Sequence, residues 1–266
     1  GKPPRMSRHA THSPIKGVPL QLGQISLPEA IRRLLQLPTI ADKRFLITIG
    51  DRSISGLVVR DQMVGPWQSP VADCAVTASG YEACVGEAMA VGERTPVAIL
   101  NAPASGRLAL AEAITNICAA RILTLSDIAL SANWMAACGQ PGEDAKLYDT
   151  VNAVASLARS LNISIPVGKD SLSMNTIWKE GSESRQVYSP MSVNITAFAP
   201  VADIRKVLTP QLQARLDTCL LLIDLSGKQN RLGGSCLAQV FNQFGEVTAD
   251  LDNPALLAGF FQAMQL

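Results

Sequence analysis

Glu112 and Asn116 stand four residues apart in the string Glu112-Ala-Ile-Thr-Asn116. On a helix this spacing stacks a carboxylate and an amide one turn apart, opposite Leu110, Ile114 and Ile117. Together they could offer two oxygens to one hard cation. Magnesium takes few protein oxygens and completes its shell with phosphate oxygens and water. Taken alone, the plainer reading is an exposed polar pair on an amphipathic helix. Asp73 adds weight to the cation reading, because it lies within the apolar run Val71-Ala-Asp-Cys-Ala-Val76. A carboxylate there is costly to bury unless it is paired or metal-bound. Strand alternation could equally turn it to solvent.

Two loops could meet phosphate or substrate. Gly50-Asp-Arg-Ser53 follows an apolar run, with Lys43 just before that run. A glycine followed by small polar residues can present backbone N–H groups to an anion. The Walker spacing is absent, so a plain polar turn is the simpler account. Pro166-Val-Gly-Lys-Asp-Ser-Leu-Ser173 places a glycine, a cation, a carboxylate and two hydroxyls behind a short apolar strand. Such strand-end loops commonly carry ligands, which makes Lys169, Asp170 and Ser173 candidates for ligand contact. Asn133 could point into the same cleft. Gly233-Gly234, ahead of a helix, could bind an anion, but close packing or a tight turn explains the pair more simply.

Other chemistries are excluded. The only histidines are His9 and His12, in a polar N-terminal tail. That leaves the folded part without a histidine base or a cysteine–histidine nucleophile. The six cysteines include no CxxC pair, so a zinc site is not expected and the thiols read as free and buried. No catalytic residue is assigned.

The elements that must position these side chains follow from periodicity. A capping box at Ser26-Leu-Pro-Glu29 opens a short helix over 28–36. Phe45–Ile49 reads as a buried strand. Val71–Thr77 and Glu87–Val91 follow as strands, and Val97–Leu100 extends or follows the third. A helix is predicted over 106–121, a strand over 128–133, and a helix over 143–161 whose stripe is Leu147, Val151, Val154, Ala158 and Leu161. A strand over 163–167, a turn over 179–182 and a strand over 192–199 complete this part. Beyond a linker over 200–210 with a turn of helix inside it, residues 219–225 have strand character and 235–244 helical character. Residues 252–266 read as a helix whose apolar side chains lack a partner.

The chain has 266 residues, 47% hydrophobic and 17% charged, with a net charge of +1. It can bury a core. Nothing in the charge points to nucleic acid, and no apolar run suits a membrane span. With no signal peptide, a cytoplasmic location is expected. The expected segments are a linker and short helix over 1–42, a first domain over 43–205 and the start of a second over 206–266. A segment of that last size cannot close a core unaided. The absence of an initiator methionine suggests a piece of a longer chain.

Seven strings, in order, carry a family resemblance: Gly50-Asp-Arg-Ser-Ile-Ser-Gly56, Arg60-Asp-Gln-Met-Val-Gly-Pro-Trp-Gln68, Pro70-Val-Ala-Asp-Cys-Ala-Val76, Glu112-Ala-Ile-Thr-Asn116, Ser131-Ala-Asn-Trp-Met135, Pro141-Gly-Glu-Asp144 and Gly168-Lys-Asp-Ser-Leu-Ser-Met174. In these the chain resembles the middle of the large, single-chain bacterial formylglycinamide ribonucleotide amidotransferases. The resemblance implies an ATP- and glutamine-dependent ligase of purine biosynthesis as the parent protein. Such a ligase has two tandem units similar to aminoimidazole ribonucleotide synthetase, followed by a glutaminase domain. This chain would hold the N-terminal domain of the second unit and the beginning of its C-terminal domain. The implied fold is α/β (α+β), a synthetase-like N-terminal domain with a mixed sheet and flanking helices.

In the family the two N-terminal domains pair, with nucleotide sites at the join. The resemblance therefore implies ATP or ADP with Mg2+ as cofactors and the other domains of the same enzyme as partners. Asp73, Glu112 and Asn116 match magnesium ligands, Ala72 a nucleotide contact, and Lys43 a nucleotide-contacting lysine. Lys169, Asp170 and Ser173 match a loop facing substrate. A further family aspartate, in a His-Asp-Arg-Ser-Asp-Gly-Gly motif, would fall beyond Leu266. The chain alone is expected to be inactive and, lacking its mate, to form a homodimer. The alternative is a purely structural pairing domain with an unused ancestral nucleotide site.

Overall fold

The computed structural model describes residues 10–50, 52–53, 56–68 and 72–266. Asp51 of the candidate phosphate turn and Val71 of the second predicted strand lie outside them. The chain is a mixed α/β structure centred on a six-stranded sheet. The strands are β1 (Val58–Arg60), β2 (Cys74–Ala78), β3 (Gly86–Glu93), β4 (Ala129–Met135), β5 (Ser164–Ser171) and, after the β6 (Asn175–Glu180) and β7 (Glu183–Tyr188) hairpin, β8 (Ser192–Val201). Their order in the sheet is β1-β2-β3-β8-β4-β5. Only β4 and β5 are parallel; every other pairing is antiparallel.

One face of this sheet is covered by α3 (Thr95–Ile117) and α4 (Glu143–Ser160). The inward residues of β3 are Gly86, Ala88, Ala90 and Gly92. Their small size lets α3 approach closely: a Cβ on Gly92 would lie 2.0 Å from the Ala109 carbonyl oxygen. Leu110, Ile114 and Ile117, the predicted stripe, are fully buried against the sheet. On α4 the predicted stripe is buried at Val154, Ala158 and Leu161, while Val151 is exposed. The opposite sheet face is open and shows Ala75, Glu87, Val91 and Phe198.

Several predicted elements are corrected. Phe45–Ile49 is not a buried strand: α2 (Arg44–Ile49) is a short helix with Phe45, Leu46 and Ile49 exposed. Asp42 accepts the Arg44 N–H through Oδ1 at 2.9 Å, and Thr48 Oγ1 donates to the Arg44 carbonyl at 2.9 Å, so local polar bonds favour the turn. Val97–Leu100 does not extend β3. It forms the first turns of α3, which kinks at Asn101 because Pro103 cannot continue the helix smoothly. Asn101 Oδ1 accepts the Ala104 N–H at 3.0 Å and restarts it.

The run 168–171, expected as a loop, is the second half of β5, laddered to β4. A Cβ on Gly168 would sit 2.4 Å from the Ala132 carbonyl oxygen, so glycine admits this approach. Residues 219–225 form no strand, and Leu220, Leu221 and Leu222 are exposed. The linker over 200–210 contains a turn but no helix. The predicted helix over 235–244 is shorter, α5 (Cys236–Val240), with Ser235 capping Ala238.

The last helix, α6 (Pro254–Gln265), does have a partner. Leu257 and Phe261 are buried in the same core cluster as α3. Gln265 Oε1 accepts the Ile122 N–H at 2.8 Å, and its amide nitrogen donates to the Ala120 carbonyl at 3.1 Å. At the other end, α1 (Leu27–Gln36) is capped by Ser26 as predicted, and Arg33 stacks on Phe241 at 4.7 Å. Among the described residues no helix is long and apolar enough to cross a membrane.

Candidate functional site

The end of β3 holds two of the sequence-predicted candidates, Glu112 and Asn116, against its backbone. Glu112 Oε2 accepts the backbone N–H of Glu93 at 2.9 Å. One turn on, Asn116 Nδ2 donates to the carbonyl of Val91 at 3.0 Å. These two residues flank Gly92, the point of closest approach between strand and helix. Cys74 pairs with Ala90 across β2 and β3, and Asp73 stands directly before it, just ahead of β2. Asp73 is exposed and makes no hydrogen bond or ion pair among the described residues.

In chemical type the candidate donors suit a hard cation. Anchoring the Asn116 nitrogen on Val91 leaves its amide oxygen available, and Glu112 keeps Oε1 outside the backbone hydrogen bond. Two carboxylates and one amide oxygen are a set magnesium accepts when phosphate and water complete the shell. Among the described residues no three His, Cys, Asp or Glu side chains gather as a metal group; this set has only two acidic members.

Two neighbours were not singled out from sequence. Arg94 Nη2 lies 3.2 Å from Glu112 Oε1, and Glu93 accepts the Thr95 N–H. Arg94 and Glu93 also line a cavity of about 1000 Å3, together with Asn194, Arg231 and Ser235. The only available signal was a charged pair at a strand–helix junction.

The other candidates fall elsewhere. Ala72 donates its N–H to the Gln62 carbonyl at 2.7 Å, directly before Asp73. The Lys43 ammonium donates to the carbonyls of Thr39 and Ala41, both at 2.9 Å, and no hydrogen bond or ion pair joins it to Asp73, Glu112 or Asn116. Arg52, in the candidate phosphate turn, is tied to Asp61 at 3.0 Å.

Lys169 and Asp170 sit on the edge strand β5, with β8 and β4 between them and β3. Lys169 donates to Ser171 Oγ at 2.8 Å and stands beside Asn133 in the ladder. Ser173 bridges to Ala137. The two sets of candidates are therefore separate places on the sheet.

Gly233-Gly234 is not an anion nest. The Gly233 and Gly234 N–H groups donate to the carbonyls of Val247 and Phe244, each at 2.8 Å. A Cβ on Gly234 would lie 3.0 Å from Val97 Cα, at a φ of +71°. The pair serves close packing. The cysteines are mixed: Cys74 and Cys118 are buried as expected, but Cys84 and Cys219 are exposed. Burial pushes the Cys74 thiol up to about 11 and the Cys118 thiol up to about 12.

Among solved structures, Thermotoga maritima PurL complexed with ADP is 13% identical with a TM-score of 0.47, covering 77% of this chain and 29% of that one. PurLQS from Thermotoga maritima is 14% identical with a TM-score of 0.46, over 64% and 25%. Thermotoga maritima PurL complexed with ATP is 15% identical with a TM-score of 0.40, over 53% and 22%. The chain thus spans under a third of each. A sequence model described as the FGAR-AT PurM_N-like domain matches residues 42–200. That match takes in β1 to β7, α3, α4 and nearly all of β8, and by it the chain belongs to the FGAR-AT PurM_N-like domain family.

Proposed function

We propose that the chain is the second synthetase-like unit of a formylglycinamide ribonucleotide amidotransferase, with its N-terminal domain over 43–205 and the start of its C-terminal domain over 206–266. In this reading Asp73, Glu112 and Asn116 hold Mg2+ against the phosphates of ATP or ADP, and Ala72 and Lys43 contact the nucleotide. Lys169, Asp170 and Ser173 face a separate substrate region. The parent ligase would activate an amide oxygen by phosphoryl transfer and displace it with ammonia. Magnesium, when bound, neutralises phosphate charge. The chain's own residues orient the nucleotide and fix the ligand oxygens; none is assigned a proton-transfer or nucleophilic role.

The observation that supports this most is the anchoring of Glu112 and Asn116 to the two neighbours of Gly92. Glu112 and Asn116 are each held to the backbone through one atom, which leaves one oxygen of each outside that bond. That is how preorganised sites are built. The alternative, a pairing module with an unused site, draws on the open sheet face around Val91 and Phe198.

Binding by this chain alone is expected to be weak, since in the family a mate completes the site. The test must therefore detect weak binding. Titrating Mn2+ with ADP into labelled protein should broaden the amide signals of residues 91–93 and 116 first. The same signals should persist in Glu112→Gln. Broadening confined to other surfaces, or unaffected by that substitution, removes the metal assignment.

A further inference from the structure

Arg94 occupies the boundary between the candidate metal ligands and the large cavity. Its backbone is fixed, because its carbonyl accepts from Ser105 Oγ at 2.7 Å and from the Val97 N–H at 3.1 Å. Its side chain is 49% exposed. The guanidinium lies on Glu112 Oε1, the oxygen of that carboxylate not taken by a backbone N–H. A cation bound there would compete with Arg94 for the same oxygen and repel it.

Arg231 also lines the cavity, but its guanidinium is committed to the Asp252 carboxylate at 3.1 Å and the Asp250 carbonyl at 3.2 Å. The Lys43 ammonium is held by two carbonyls. Arg94 is thus the cation that metal binding itself would release, and release turns it toward open space that it already lines. Its planar fork suits two phosphate oxygens.

We propose that Arg94 is a further nucleotide-binding residue of this site. It masks Glu112 before the metal arrives and grips the nucleotide's phosphates once the metal has displaced it, so that metal and nucleotide bind together. This rests on the magnesium reading of Asp73, Glu112 and Asn116. Linkage makes the effect reciprocal: each ligand raises the affinity of the other.

The test uses Mn2+ as the metal probe, followed by electron paramagnetic resonance of the free ion, and ADP followed by calorimetry. Arg94→Gln should bind Mn2+ alone about fivefold tighter, the scale of a lost exposed ion pair. It should bind ADP in the presence of Mn2+ about tenfold more weakly, the scale of a charge-assisted hydrogen bond. Arg94→Lys retains the charge and should leave Mn2+ binding alone as weak as in the parent.

Unchanged Mn2+ and ADP affinities in Arg94→Gln, with Mn2+ binding reduced in Asp73→Asn, overturn the role of Arg94 and leave the metal site standing. Mn2+ binding indifferent to Asp73→Asn and Asn116→Ala, or absent from every variant with and without ADP, overturns the site beneath it.

Discussion

Arg107 on α3 and Asp250, 143 residues further along the chain, form a two-pronged ion pair, with Nε 2.7 Å from Oδ1. Both side chains are mostly buried, at 26% and 16% exposure. The hydrogen bond to Asp250 holds the Arg107 guanidinium above its ordinary range, against the opposing effect of burial. The pair fastens the segment leading to α6 onto the helix that carries Glu112 and Asn116. Asp250→Ala leaves a partly buried guanidinium unpaired, at a cost of about 2 kcal/mol. Urea denaturation should show this as a lower midpoint with an unchanged slope. A double substitution, Arg107→Met with Asp250→Leu, should recover much of the loss; no recovery would mean that packing matters here more than charge.

Glycine-to-alanine substitutions should split by sign. At Gly92 the new Cβ would lie 2.0 Å from the Ala109 carbonyl oxygen and 2.6 Å from the Ala113 nitrogen, both backbone atoms that cannot yield. Gly92→Ala should cost about 3 kcal/mol or more, and should loosen the grip of Glu112 and Asn116 on β3. Gly259 lies exposed within α6 with nothing within 4 Å of an added Cβ. There alanine should stabilise by about 0.5–1 kcal/mol, through helix propensity and a less flexible unfolded chain. Melting temperatures moving the same way at both positions would contradict the close contact at Gly92.

How much was legible follows from which signals are local. The spacing of Glu112 and Asn116 against Leu110, Ile114 and Ile117 fixes a helix face, so the strand-facing stripe and the ligand pair were readable together. Phe45–Ile49 has no period: five apolar residues suit a strand or a helix, and a strand needs a neighbour that sequence does not show. Val97–Leu100 misled for the same reason, and Pro103 hid the continuity of α3. The burial of Leu257 and Phe261 depends on a helix more than a hundred residues away. The pairing of Arg94 with Glu112 is likewise tertiary, and nothing in the spacing marks that arginine. Gly233-Gly234 could be weighed in advance only as two alternatives; the hydrogen bonds to Val247 and Phe244 decide between them.

The thiols should separate by burial. Cys74 and Cys118 are buried, and desolvation raises both, to about 11 and about 12. At pH 8 almost no thiolate forms at either, and reagent cannot reach them. Brief treatment of the folded protein with iodoacetamide should label Cys84 and Cys219, which are exposed. Cys74 and Cys118 should react only in denaturant. Peptide mass spectrometry reads both, and early labelling of Cys118 would mean that the core beneath α3 opens more readily than its packing implies.

The open sheet face should govern association. Val91 is 52% exposed and Phe198 39% exposed, on neighbouring strands of the face that no helix covers among the described residues. An apolar surface of this kind gains by meeting a second copy. Sedimentation at rising concentration should show a dimer. Phe198→Glu sets a carboxylate at the centre of the contact, where burial would leave it unpaired, and should hold the chain monomeric with an unchanged circular dichroism spectrum. A parent protein that stays monomeric at high concentration, or a variant that associates as well as the parent, would move the contact to another surface.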